Sequence, residues 1–156
     1  MSVYVINLLK IAFISAVPLI EQRGAIPIGI LVYKYHPLVV SVTSFLGSLV
    51  PVPFILLLFN IIFEWMKKYN FLKWFNDFVE NKVRKGSTKV AKYKEIGLII
   101  FVAIPLPTTG LWTGSAIAAF LGLDFKKSFL CIALGGIISA IAITIMSLLF
   151  PALLGY

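Results

Sequence analysis

Three stretches of this chain carry no charged residue: Tyr35 to Phe63, Ile96 to Leu123 and Ser128 to Tyr156, of 29, 28 and 29 residues. A hydrocarbon core about 30 Å thick needs about 20 residues of helix to cross it. The charged fraction is 13% and the hydrophobic fraction 60%, whereas a soluble domain carries about a quarter charged residues. A soluble enzyme, a secreted disulfide scaffold and a disordered tail are therefore excluded. The chain reads as an all-α integral membrane protein, too short for more than one membrane domain over residues 1–156. Met1 to Leu9 has no positive charge and Lys10 interrupts the apolar stretch, so the start is not expected to be a removable signal. The lone cysteine, Cys131, lies in an apolar helix and reads as a small buried hydrophobe.

The charges are crowded. Residues 64–95 hold nine of the fourteen Lys and Arg residues against four acids. By the positive-inside rule this connector is expected in the cytoplasm of a multi-pass plasma-membrane protein. Lys126 and Lys127 should share its side. The net charge of +8 then reports topology, and no nucleic-acid partner is expected. Phe71, Leu72, Phe75, Phe78, Val79 and Val83 recur at helical spacing among polar residues, so about 66–85 is predicted to be an amphipathic helix at the membrane surface.

Two segments, about 38–63 and about 128–150, are long enough to span. Between 96 and 123 the chain is cut by Pro105-Leu106-Pro107-Thr108-Thr109-Gly110. Proline removes a backbone donor and pushes the preceding residue out of the helical region. Each remaining arm covers about half a bilayer, so the segment is predicted to dive in and turn back. The N-terminal region, about 3–35, repeats the design, with Pro18, Gly24 and Pro27 as its breaks. Residues 1–63 and 96–150 thus both read as a re-entrant helical hairpin followed by a transmembrane helix, joined by the basic amphipathic connector. The single span in the first half gives the two halves opposite topology, the inverted-repeat plan of secondary transporters.

Glu21 and Arg23 lie between Pro18 and Pro27, inside otherwise apolar sequence. Ionised groups at membrane depth are expensive and mark functional sites by default. Arg23 offers a planar fork suited to phosphate or carboxylate. Glu21 is expected to orient Arg23 or to couple to protons. Thr108, Thr109, Gly110 and Trp112 are expected to line the same cavity from the second hairpin. The chain has no Cys/His cluster of metal spacing, no phosphate-binding Gly-Lys loop and no nucleophile–base set. Neither a cofactor, a metal nor an enzymatic activity is expected.

Pro18-Leu-Ile-Glu21-Gln-Arg23-Gly24-Ala-Ile-Pro27 resembles the P-x-x-E-x-R-G-A-x-P signature of the small multi-drug export protein family. Leu46-Gly-Ser-Leu-Val-Pro51-Val-Pro53-Phe and Ile104-Pro-Leu-Pro107-Thr-Thr-Gly110-Leu-Trp112-Thr-Gly114 resemble further motifs of it. That family is distantly similar to the DedA (SNARE-associated, VTT-type) membrane proteins, which have two re-entrant hairpins of opposite orientation and are implicated in moving lipids between leaflets. The resemblance implies that Glu21 matches the acidic residue of the first hairpin. The arginines of the DedA second hairpin are unmatched, since Ala103, Thr108 and Thr109 stand there.

The leading expectation is a transporter or flippase for an amphipathic anionic substrate, such as a polyprenyl phosphate, acting among membrane lipids. A proton-coupled exporter of hydrophobic cations, working through Glu21, is the second reading. The third is a scaffold that docks partners through residues 66–95. Two spans and two hairpins make a thin wall, which favours a homodimer.

Overall fold

The computed structural model of the protein describes residues 3–67, 77, 81, 95–106 and 109–153. The amphipathic helix expected over 66–85 falls almost wholly outside them, as do Pro107 and Thr108. The described residues form seven α-helices and no strand. Helix α1 is Val3–Ala16, and α2 is Glu21–Pro27, running on into a π-helical turn Ile28–Val32. Then come α3 (Pro37–Leu49), α4 (Pro51–Lys67), α5 (95–103), α6 (Leu111–Phe120) and α7 (Phe125–Leu153).

Local chemistry sets these limits. Pro37 occupies the first turn of α3, where its missing N–H costs nothing, and His36 before it is extended at ψ 126°. The Asp124 carboxylate accepts the Lys127 N–H at 3.0 Å and caps α7, as its position before Phe125 predicts. Gly122, at φ 64°, ends α6, and the Leu123 N–H closes the turn on the Ala118 carbonyl at 3.0 Å.

Pro37–Phe59 and Phe125–Phe150, of 23 and 26 residues, are apolar enough to cross a membrane. A buried core helix of a soluble protein could match that composition, but only 22% and 39% of their most apolar windows are buried. Along α7 the side chains of Leu134, Ile138, Ile141, Ile145, Met146 and Phe150 all stand exposed. A helix apolar all round with such a surface needs a lipid solvent.

The chain divides into two compact units, Met1–Val50 with Gly136–Tyr156, and Pro51–Gly135. In the first, α1 and α2 form a helical hairpin packed on α3 and the C-terminal part of α7. Ile11, Ala25, Ile26, Ile30, Val40, Ala140 and Ile143 make its core. The two ends of this hairpin meet: the Tyr4 and Tyr35 ring centroids lie 4.7 Å apart, and Asn7 Nδ2 donates to the Tyr35 hydroxyl at 3.0 Å. In the second unit α5 and α6 form the hairpin, packed with α4 and the N-terminal part of α7. Glu95 and Lys127 pair at 3.7 Å, so the start of α5 lies beside the start of α7.

Close glycine contacts occur in both units. A Cβ on Gly47 of α3 would stand 2.3 Å from the Ala12 carbonyl oxygen of α1, and one on Gly135 of α7 would stand 2.8 Å from the Ile99 carbonyl oxygen of α5. Each glycine lets a spanning helix touch the backbone of its own hairpin's first arm. The buried stripes correspond as well, at offsets of 87 to 89 residues in the numbering. Ile11 and Ser15 correspond to Leu98 and Val102, and Val40 and Ser44 to Ser128 and Ile132. Gln22, Ala25 and Ile26 correspond to Leu111, Gly114 and Ser115, all buried.

Two expected breaks need correction. Gly24 and Pro27 do not interrupt the first hairpin's second arm, which is helical from Glu21 to Val32. The Gly24 N–H bonds the Ile20 carbonyl at 3.0 Å, and a Cβ on Gly24 would meet Ile20 Cγ2 at 2.5 Å, so this glycine serves close packing. Pro27 forfeits one helical hydrogen bond, and the chain continues beyond it in the wider π register. The break lies at residues 17–20 instead, around Pro18.

Candidate functional site: the charged hairpin turn

The turn begins where α1 loses its donors. The Val17 N–H still reaches the Ile14 carbonyl at 3.2 Å, Pro18 has none to offer, and Leu19 takes φ 77°. Glu21 follows at φ 48°, its N–H on the Val17 carbonyl at 3.1 Å. This left-handed region costs a non-glycine residue roughly 1–2 kcal/mol. At the matching place in the second hairpin stands Gly110, at φ 133°, where positive φ is no penalty. The first hairpin holds a carboxylate where the second uses glycine, and strain of this kind concentrates at functional sites.

Glu21 is 4% exposed. Arg23 is only partly buried, and the two charges attract each other. Between them Gln22 is fully buried, and its Nε2 donates to the Gly136 carbonyl of α7 at 2.9 Å. This bond ties the charged turn to α7. A second tie lies toward the other end of the unit, where the Ser41 and Thr144 hydroxyls share a hydrogen bond of 2.5 Å. Around that pair α3 and α7 leave an apolar groove of about 460 Å³, flanked by His36, Phe45, Ile137 and Ile145.

The expected residues fall into both units. Glu21 and Arg23 belong to the first, and Thr109, Gly110 and Trp112 to the second. The Thr109 hydroxyl donates to the Ile104 carbonyl at 2.5 Å and to the Leu106 carbonyl at 3.0 Å, so it closes the turn after α5. Gly110 starts α6, its carbonyl accepting the Gly114 N–H at 2.8 Å, and Trp112 is partly buried on the first turn. Thr108 lies outside the described residues. Among the described residues no three His, Cys, Asp or Glu side chains come together.

Sequence reasoning passed over Gln22, Ser44 and Ser139, all buried in the first unit. Their signal was present: small or neutral polar residues at helical spacing from the apolar core positions of helices in lipid.

The family described as "Putative small multi-drug export protein" matches residues 21–142. That stretch runs from Glu21 through both glycine contacts into the second half of α7. No curated protein and no solved structure matches the chain.

Proposed function

The chain belongs to this small multi-drug export family, and from that premise we propose that it carries an amphipathic anionic substrate across the plasma membrane. The reading is a two-hairpin transporter with inverted repeats. Each hairpin enters the lipid, turns at its proline break and leaves on the side it came from. Helix α1 has 14 residues and α6 has 10, or about 21 and 15 Å of helix, short of the roughly 30 Å core. The meeting of Tyr4 with Tyr35, and of Glu95 with Lys127, supports hairpins whose ends return together. The matching of Gly47 with Gly135 supports the repeat. One full span in each half then gives the halves opposite topology, with the 64–95 connector cytoplasmic.

The observation that carries the substrate class is the unequal burial of the charged pair. Glu21 is shut in while Arg23 is partly exposed, and in this reading the guanidinium is the group that meets a ligand. A guanidinium takes a phosphate or carboxylate through paired hydrogen bonds. Glu21 orients it. The groove between α3 and α7 suits an apolar tail, so a lipid-linked phosphate such as a polyprenyl phosphate is the model substrate. The protein works as a carrier without catalysis, as a homodimer among membrane lipids.

The family description favours a second reading, proton-coupled export of hydrophobic cations with Glu21 as both binding and proton site. One experiment separates them. Purified protein in liposomes is assayed for movement of a labelled polyprenyl phosphate and of a lipophilic cation, with and without a proton gradient. Arg23→Ala abolishes anion movement in the first reading. In the second, cation movement survives Arg23→Ala and is lost in Glu21→Gln. If neither substrate moves, the carrier reading fails.

A further inference from the structure

The groove between α3 and α7 lies wholly within the first unit, with His36 and Pro37 at one end and Phe45 the last α3 residue along it. Only His36, Ser41 and Thr144 interrupt an apolar lining. The two hydroxyls are already occupied. They meet each other at 2.5 Å, and each reaches a carbonyl of its own helix, that of Pro37 or Ala140, at 2.7 Å. The body of the groove therefore asks for no polar ligand. Leu38, Val42, Ile137, Ile141 and Ile145 along its walls stand exposed, so in a bilayer it fills with hydrocarbon.

Residues 37–45 of α3 and 137–145 of α7 each cover about 12 Å of helix. Half of a hydrocarbon core is about 15 Å thick, and a candidate span opens at Pro37. The groove thus matches the depth of one leaflet, with its His36 end at the surface. Spread over that depth, its volume of about 460 Å³ leaves a cross-section of about 40 Å², a slot about 7 Å across. A helix with its side chains is about 10–12 Å across, so a helix of a second copy does not fit inside. A single hydrocarbon chain does.

The surface end carries the charge that a headgroup needs. Tyr35 lies between Tyr4 and Tyr33, with ring centroids 4.7 and 5.7 Å apart, and tyrosines gather at membrane interfaces. Lys34 and His36 are exposed and two residues apart in the chain. No ion pair ties Lys34 down among the described residues. It holds φ 54°, the left-handed position after a helix where glycine is the common choice. The Tyr35 N–H closes that turn on the Gly29 carbonyl at 3.1 Å. A lysine kept in a strained glycine conformation points to a use for its charge.

We infer that the groove holds one acyl chain of an anionic phospholipid of the surrounding bilayer, whose phosphate meets Lys34 and His36 at the membrane surface. The same groove takes the substrate's tail in the reading above, and a resident lipid is what that tail displaces. This lipid site rests on that reading only in that the groove lies in lipid. Its binding is measured without transport, so either can fail alone.

The test uses the full chain, purified in detergent. Native mass spectrometry counts bound lipid as phosphatidylglycerol or the zwitterionic phosphatidylcholine is added. One phosphatidylglycerol should bind saturably and about fivefold tighter than phosphatidylcholine, the advantage of one lysine at an anionic surface. Lys34→Gly relieves the backbone strain, so the variant folds, and it should remove that preference. Lys126→Gln, which removes an exposed charge of the second unit, should keep it. Val42→Trp fills the groove from an exposed position and should weaken both lipids at least tenfold. Leu46→Trp, exposed on the same helix but outside the groove, should not. Equal affinity for the two lipids in wild type, or a preference lost equally in Lys126→Gln, overturns the inference. So does wild-type affinity in Val42→Trp. A wild-type dimer that Val42→Trp alone dissociates gives the groove to a second copy and overturns it as well.

Discussion

Replacing Glu21 by glycine and, separately, by alanine isolates the strain at the charged turn. Both substitutions remove the same carboxylate and its attraction to Arg23, so that loss cancels between them. What differs is the backbone. Glu21 sits at φ 48°, where a residue with a Cβ pays roughly 1–2 kcal/mol and glycine does not. Against this, glycine loses about 0.5–1 kcal/mol more backbone entropy than alanine on folding. The glycine variant should therefore be the more stable by about 0.5–1 kcal/mol, or about 1–4 °C in midpoint for a chain of this size. Cys131 is a convenient reporter, because it is the lone cysteine, is buried, and reacts with a fluorogenic thiol dye once the helices part. Both variants should fail to transport. An alanine variant as stable as the glycine variant would refute the strain argument. A glycine variant that transports like wild type would show that the carboxylate is dispensable, and the functional reading of the turn would go with it.

Gly47→Ala and Gly135→Ala should each destabilise by about 2–3 kcal/mol, since the new methyl meets backbone that cannot rotate away; thermal unfolding of each variant checks this, and a cost at one site alone would break the correspondence between the units. Gly122→Ala meets no neighbour and should cost only about 1 kcal/mol, from φ 64°. Gln22→Leu removes the bond to Gly136 together with the buried Oε1 that has no donor, so stability should not fall by more than about 1 kcal/mol, read by the same dye assay. Single cysteines at 96 and 123, in a Cys131→Ala background, should label from the same face of sealed vesicles. Labelling from opposite faces would exclude a re-entrant second hairpin.

Much of this was legible in the residues because lipid imposes a crude and strict rule. A helix must be long and uncharged to span, and a proline pair must interrupt one that does not. Those rules located both spans, the Asp124 cap and the Pro105–Gly110 break. They also drew attention to Glu21 and Arg23, as charges inside otherwise apolar sequence. They misread Gly24 and Pro27, because one missing hydrogen bond is tolerated when the chain can widen into a π turn. Propensity alone cannot foresee that accommodation.

The linear order of charge, proline and apolar length determined that this is a helical membrane protein with two broken segments, because those properties act locally and against a uniform solvent. Tertiary packing decided what no local rule reaches. It made Gly47 and Gly135 equivalent contacts, put Glu21 in a glycine conformation, and left oxygens of Gln22, Ser44 and Ser139 inside the first unit without donors. Each of these depends on which helix lies against which, and the chain reveals that only once its distant segments have met.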